Sequence, residues 1–148
     1  MKIKSIKKLI GLFLIFNFIV CCKTDKIEGV IIGDTLLAHQ SFAENQKMQH
    51  LISNALQKDK KSIIELKDFP NGGAASAYDL GYVLTQIIYR IGEDEFAEIM
   101  REIPKAKRKG LEGLIMVGLE YGDNDYDGKV DNKRMGIEFP QLIEVFKE

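Results

Sequence analysis

Four carboxylates fall within nine residues, Asp123, Asp125, Asp127 and Asp131, in the stretch EYGDNDYDGKVDNKRMG from Glu120 to Gly136. Three of them alternate, and Gly128 follows at once. Calcium takes about six to eight oxygens, several of them charged, and needs a residue that allows a sharp turn among them. Asp123, Asp125 and Asp127 would supply carboxylates, the carbonyl of Lys129 a neutral oxygen, and Asp131 a further carboxylate. The same composition suits a solvated turn, because Asp, Asn and Gly hydrogen-bond their own backbone and accept left-handed conformations. Both readings stand on the residues alone, and without a cation four aspartates this close repel one another.

The order D-x-D-x-D-G-x-x-D resembles the first part of an EF-hand loop and also a thrombospondin type-3 calcium repeat. The resemblance implies a calcium ion held by Asp123, Asp125, Asp127, the Lys129 carbonyl and Asp131. It stops at Arg134. There an EF-hand places its bidentate Glu, and the type-3 repeat its next Asp. Glu120 or Glu138 would have to fold back to complete the shell.

The elements that must position this loop read as helices. Leu80, Val83, Leu84, Ile87, Ile88 and Ile91 form one apolar stripe, and Gly92 supplies its stop. Glu93, Asp94 and Glu95 suit the first turn of the next helix, where the dipole favours anions. Phe96, Ile99, Met100 and Ile103 line its inner face, and Pro104 ends it and can open another. Leu111, Leu114, Ile115, Gly118 and Leu119 repeat the stripe as far as Gly122. Gly110, Gly113 and Gly118 cost helix stability relative to Ala. They either let a neighbouring helix approach closely or are simply tolerated.

Upstream, Met48, Leu51, Ile52, Ala55 and Leu56 predict a helix starting near Glu44, and Ile63, Ile64 and Leu66 a second over Lys60 to Phe69, broken by Pro70-Asn71-Gly72-Gly73. Ser76 or a neighbour is expected to cap the helix that follows. A last helix starts at about Pro140. Gly29 to His39 fits either a strand or a short helix, and no strand pair stands out. The expected fold is therefore all-α, about six short helices in antiparallel pairs, HEAT-like or an irregular α-α bundle. No period of about 34 or 40 residues recurs, so it is not a recognisable repeat.

The chain begins MKIKSIKKLIGLFLIFNFIVCC. Lys2, Lys4, Lys7 and Lys8 precede an apolar run from Leu9 to Val20. A twelve-residue helix spans about 18 Å, well short of a hydrocarbon core of about 30 Å. Charged segment, apolar segment and small residues in that order make a secretory leader over residues 1–21. Its end, Ile19-Val20-Cys21-Cys22, resembles the lipobox of bacterial lipoproteins, with Cys21 where Gly, Ala or Ser is usual. The resemblance implies a diacylglycerol thioether at Cys22, commonly with an N-acyl chain, and two or more chains hold a protein on a bilayer far better than one. Residues 22–28 are then the lipidated end and a short tether, and 29–148 one helical domain close to the membrane.

Both cysteines are accounted for by this reading, so the mature body is expected to have no thiol, disulfide or Cys-based zinc site. Removing the four leader lysines leaves 17 basic against 22 acidic side chains. With no basic stripe, nucleic acid is not an expected partner. The two histidines, His39 and His50, match no zinc spacing. No nucleophile elbow, Walker loop or dinucleotide fingerprint occurs. The Gly-rich NGGAASAYDLG lacks a phosphate-binding Lys. Lys105, Lys107, Arg108 and Lys109 form a basic run, either a solvated face or a contact for anionic head groups.

The functional expectation is a membrane-anchored envelope lipoprotein, bound to the bilayer through Cys22, that acts as a non-enzymatic binding protein. Its partner would be an envelope protein or a secreted toxin that it neutralises, an immunity role by analogy of class. One alternative is a small envelope enzyme or cell-wall hydrolase accessory using carboxylates such as Asp79, Glu93 or Asp94. Another is a structural envelope protein stiffened by calcium.

Overall fold

The computed structural model describes residues 23–148. The leader and the lipidation position Cys22 lie outside the described residues. Over these residues the chain is all-α, with one small hairpin. In order the elements are β1 (Lys26–Ile27), β2 (Val30–Ile31), α1 (Asp34–His39), α2 (Phe42–Leu56), α3 (Lys60–Lys67), α4 (Ala74–Ile91), α5 (Glu93–Glu102), α6 (Lys105–Tyr121), α7 (Met135–Glu138) and α8 (Pro140–Lys147). The six expected helices are present, and two short ones, α1 and α7, add to them. No described helix is long and apolar enough to cross a membrane.

The hairpin was not anticipated. Its strands pair antiparallel, Lys26 with Ile31 and Ile27 with Val30. The two residues between them, Glu28 and Gly29, both have positive φ, 48° and 86°. Two consecutive positive φ values make the tight turn whose twist matches paired strands. The hairpin thus occupies part of the stretch expected to be a tether. Two side-chain amides then fasten this segment to the helices. Asn45 of α2, fully buried, accepts from Thr24 N at 2.8 Å and donates to Thr24 O at 2.9 Å. Gln86 of α4 repeats the device on Ile31, accepting from its N–H at 2.8 Å and donating to its carbonyl at 2.9 Å.

Helix α4 is the centre of the molecule, with α1, α2, α3, α5, α6 and β2 packed around it. The expected single stripe on it is corrected here, because every residue from Leu80 to Ile88 is buried. A helix buried all round belongs in the middle of a core, not on its edge. Phe96, Met100, Leu111, Ile115 and Leu142 close the core from the outer helices. Each large apolar side chain buried this way contributes about 1.5–3 kcal/mol.

At the crossing of α4 and α6 the backbones touch. A Cβ added to Gly81 would lie 2.2 Å from the Leu114 carbonyl oxygen, and one on Gly118 would lie 2.2 Å from that of Gly81. Gly118 is therefore the close-approach glycine of α6. Gly113 has nothing within 4 Å of such a Cβ and is merely tolerated.

Helix ends follow local chemistry with one exception. Ser41 and Glu44 form a reciprocal capping box on α2, so that helix starts two residues before Glu44. Asp59 caps α3 through Ser62 N at 2.8 Å. Ser76 does not cap α4. The N-cap is Gly73, and Ser76 is buried with its hydroxyl 3.2 Å from His39 Nδ1. Gly92, at φ 91°, ends α4 and begins α5 in a single residue.

Candidate functional site

The acidic loop joins α6 to α7 and closes the C-terminal end of α6. Backbone N–H groups of Asp131, Asn132 and Lys133 donate to the carbonyls of Gly122, Glu120 and Leu119 at 3.0–3.1 Å. The last carbonyls of a helix lack partners within it, and the returning chain supplies them here. Asn124, almost buried, sits inside the loop. It accepts from Thr85 Oγ1 at 2.7 Å and donates to Gly118 O at 3.1 Å. Tyr82 donates its hydroxyl to the Asp123 carbonyl at 2.7 Å. The loop is thus tied to the centre of α4 by three side chains, Tyr82, Thr85 and Asn124.

Each aspartate has a separate task. Asp123 accepts from the amides of Asp127 at 2.9 Å and Gly128 at 3.0 Å, and Gly128 makes the turn at φ 82°. Asp127 accepts from Lys129 N at 2.9 Å and lies 3.3 Å from the Lys129 ammonium. Asp131, 4% exposed, accepts from Asn124 N at 2.6 Å and lies 3.6 Å from Lys133 Nζ. Asp125 accepts a hydrogen bond from the same ammonium. Among the described residues no group of three or more acidic, His or Cys side chains converges as a metal shell would require. The cation that Asp125 and Asp131 share is Lys133.

Lys133 is the residue that sequence reasoning missed. Its side chain is 18% exposed, and its ammonium stands 5.5 Å from the centre of the Tyr89 ring, within reach of a cation–π attraction. Burial works against the ammonium, but the hydrogen bond with Asp125 and the charges of Asp131, Asp125 and Glu138 outweigh it and raise its pKa. Tyr89 donates to Glu138 at 2.6 Å. Burial first, then that hydrogen bond, push the Tyr89 phenol far above its ordinary value. A lysine two residues beyond an aspartate carries no signal for such a role, because the pairing with Asp125 depends on how the loop folds.

Beside the loop runs a groove of about 430 Å³, lined by Met116 and Glu120 of α6, Asn132 and Arg134 of the loop, Met135 of α7 and Ile143 of α8. Met116 is 51% exposed, and Ile137, next to the groove-lining Gly136, is 75% exposed.

The carboxylates named for an enzyme are divided between two helices and each is engaged in a structural hydrogen bond. Asp79 of α4 accepts from Leu36 N at 2.9 Å and so caps α1. Glu93 of α5 accepts from Gln141 N at 2.6 Å and Leu142 N at 3.1 Å at the start of α8, and Asp94 accepts from the Gln141 amide. The basic run is also divided. Arg108 donates to Ile103 O at 2.6 Å, Val145 O at 2.8 Å and Arg101 O at 3.1 Å, and Lys105 donates to Lys147 O at 2.9 Å. These cations sit at the C-terminal ends of α5 and α8, where helix dipoles favour them. Lys107 and Lys109 remain exposed.

The fold and site define an all-α domain with a lysine-closed acidic loop. No protein-family model matches the chain, and no curated protein or solved structure is detectably similar to it.

Proposed function

We propose that this chain is a lipid-anchored envelope protein whose helical body binds another protein through the groove between α6, α7 and α8. The leader and the Cys22 lipobox support the anchor. The observation that supports binding is the exposure of groove-lining Met116, 51%, and of Ile137, 75%, which follows groove-lining Gly136 and is the most exposed large apolar side chain among the described residues. Exposed apolar surface with a polar rim marks interaction sites, and methionine adapts to the shape of a partner. Arg134 and Glu120 provide that rim. A non-enzymatic role is consistent with the structural use of these carboxylates, Asp79 and Glu93 each capping a helix and Asp94 accepting from the Gln141 side chain. A secreted toxin, neutralised at the cell surface, is the inferred partner, and an envelope protein is the alternative. Co-purification of the full-length, lipid-modified protein from envelope extracts tests this, with the product of the adjacent gene assayed first. A partner retained by the native chain and lost with Met116→Asp and Ile137→Asp is expected. Retention by both variants would overturn the groove as the binding surface.

A second reading assigns calcium to the loop. It is supported by the turn at Gly128 and by Asp123 holding the two amides that shape it. It requires Lys133 to withdraw from Asp125 and Asp131, so calcium and the lysine compete for the same carboxylates.

A further inference from the structure

The membrane-facing side of the body follows from where the chain joins it, an inference that rests on the Cys22 anchor proposed above. Thr24 has both backbone groups bonded to buried Asn45. Lys23 donates its ammonium to Leu37 O at 3.0 Å. Ile32 N donates to Asp25 O at 2.7 Å, and Ile27 and Val30 are core residues. The body is thus fastened from Thr24 onward. A chain covers at most about 3.3–3.6 Å per residue, so residue 22 lies within about 7 Å of Thr24. Acyl chains attached at Cys22 would therefore hold the Thr24 end of the body close to the membrane surface.

We infer that the corner formed by Lys23–Lys26 and the α1–α2 junction rests on the phospholipid head groups, with Phe42 as its interfacial side chain. Phe42 is 38% exposed and sits three residues before Asn45 in α2. Positions three apart share a helix face, with Cβ atoms about 5–6 Å from each other, so Phe42 lies beside the Thr24 attachment. A phenyl ring on a helix is suited to burial at the boundary between head groups and acyl chains. Charge does not set this orientation. Lys23 and Lys26 are accompanied by Asp25 and Glu44, and the corner has no excess of positive charge. Docking is therefore the same on zwitterionic and on anionic membranes. The inferred contact is this corner, and the exposed Lys107 and Lys109 of α6 and Ile137 of α7 are not part of it.

The chain has no tryptophan, so a single introduced indole reports its own depth. Lipidated full-length protein is placed in phosphatidylcholine vesicles containing brominated lipid, with Phe42→Trp, Lys26→Trp, Lys107→Trp and Ile137→Trp compared. Loss of fluorescence is expected at positions 42 and 26 and not at 107 or 137, unchanged when phosphatidylglycerol is added. A flexible Gly/Ser insertion after residue 22 should abolish the loss while flotation persists. Protein that floats with vesicles but is quenched more at 107 or 137, or nowhere, overturns this orientation and leaves the anchor standing. Protein that does not float at all overturns both.

Discussion

The ammonium of Lys133 stands 3.6 Å from the carboxylate of Asp131, and that carboxylate is 4% exposed. A charge so enclosed depends on its partner. Removing one member of a buried pair costs about 3–5 kcal/mol. The 18% exposure of Lys133 lowers the expected cost of Lys133→Ala to about 2–3 kcal/mol, since solvent screens part of the pair. Urea unfolding measures it. A loss no larger than that of an exposed control such as Lys129→Ala would mean the ammonium does not hold the loop.

Calcium should compete with that lysine. At about 1 mM, the range of extracellular sites, calcium is expected to raise the Tm of Lys133→Ala more than that of the native chain, and EDTA to reverse it. Identical melts of both chains, with and without calcium, would remove calcium from the loop's function.

The α4–α6 crossing predicts opposite outcomes for two glycines of one helix. Gly118→Ala would place a methyl 2.2 Å from the Gly81 carbonyl oxygen, and overpacking of this kind costs about 1–3 kcal/mol or more. Gly113→Ala meets nothing within 4 Å and should stabilise by about 0.5–1 kcal/mol, the helix preference of Ala over Gly. Thermal unfolding of the two variants is sufficient, and equal effects would contradict the crossing.

Side-chain amides hold the N-terminal hairpin. Gln86→Leu leaves Ile31 N and O without their partner, and stranding a buried polar group costs about 1–3 kcal/mol. Amide hydrogen exchange at Ile31 should accelerate more than that at Leu119, whose surroundings are unaltered. Uniform acceleration across the molecule would instead indicate general loss of packing.

The pH profile should have two limbs. The Ser62 hydroxyl and then its amide hold the Asp59 carboxyl below its ordinary 3.8, and Ser41 holds Glu44 below 4.5 in the same way. Their folded values lie below the unfolded ones, so this stability is complete above pH 4.5 and is lost as pH falls through the depressed values. On the alkaline side Tyr89 is raised by burial and then by Glu138. Lys133 is raised too, its carboxylate neighbours overcoming burial. A raised folded value reverses the sign. That stability is complete below pH 10.0, the ordinary tyrosine value, and is lost as pH rises through the raised values. Urea midpoints across both limbs check this, with Asp59→Asn expected to flatten the acid limb and Glu138→Gln the alkaline one.

The stripes, Gly92, Pro104 and the Pro70–Gly73 break were enough to place six helices, because each has a strong local cause. The hairpin was not legible. Strands of two residues show no alternation, and Glu28-Gly29 is a weaker turn signal than Asn-Gly. The central place of α4 was hidden by Tyr82, Thr85 and Gln86, polar residues that made a buried helix look one-sided. Gly118 was visible as a candidate for close approach, but nothing in the sequence singled out its partner Gly81. In the loop the aspartates stood out by spacing. Lys133 did not, since its role arises only when the chain folds back over Tyr89.

The amides of Asn45 and Gln86 have one more consequence. Exposed strand edges invite pairing with another chain, and many partners bind by adding a strand to such an edge. At Thr24 and Ile31 the donors and acceptors that an incoming strand would use are already occupied by carboxamides. The small sheet is closed to β-augmentation at these two residues, and self-association through them is blocked as well.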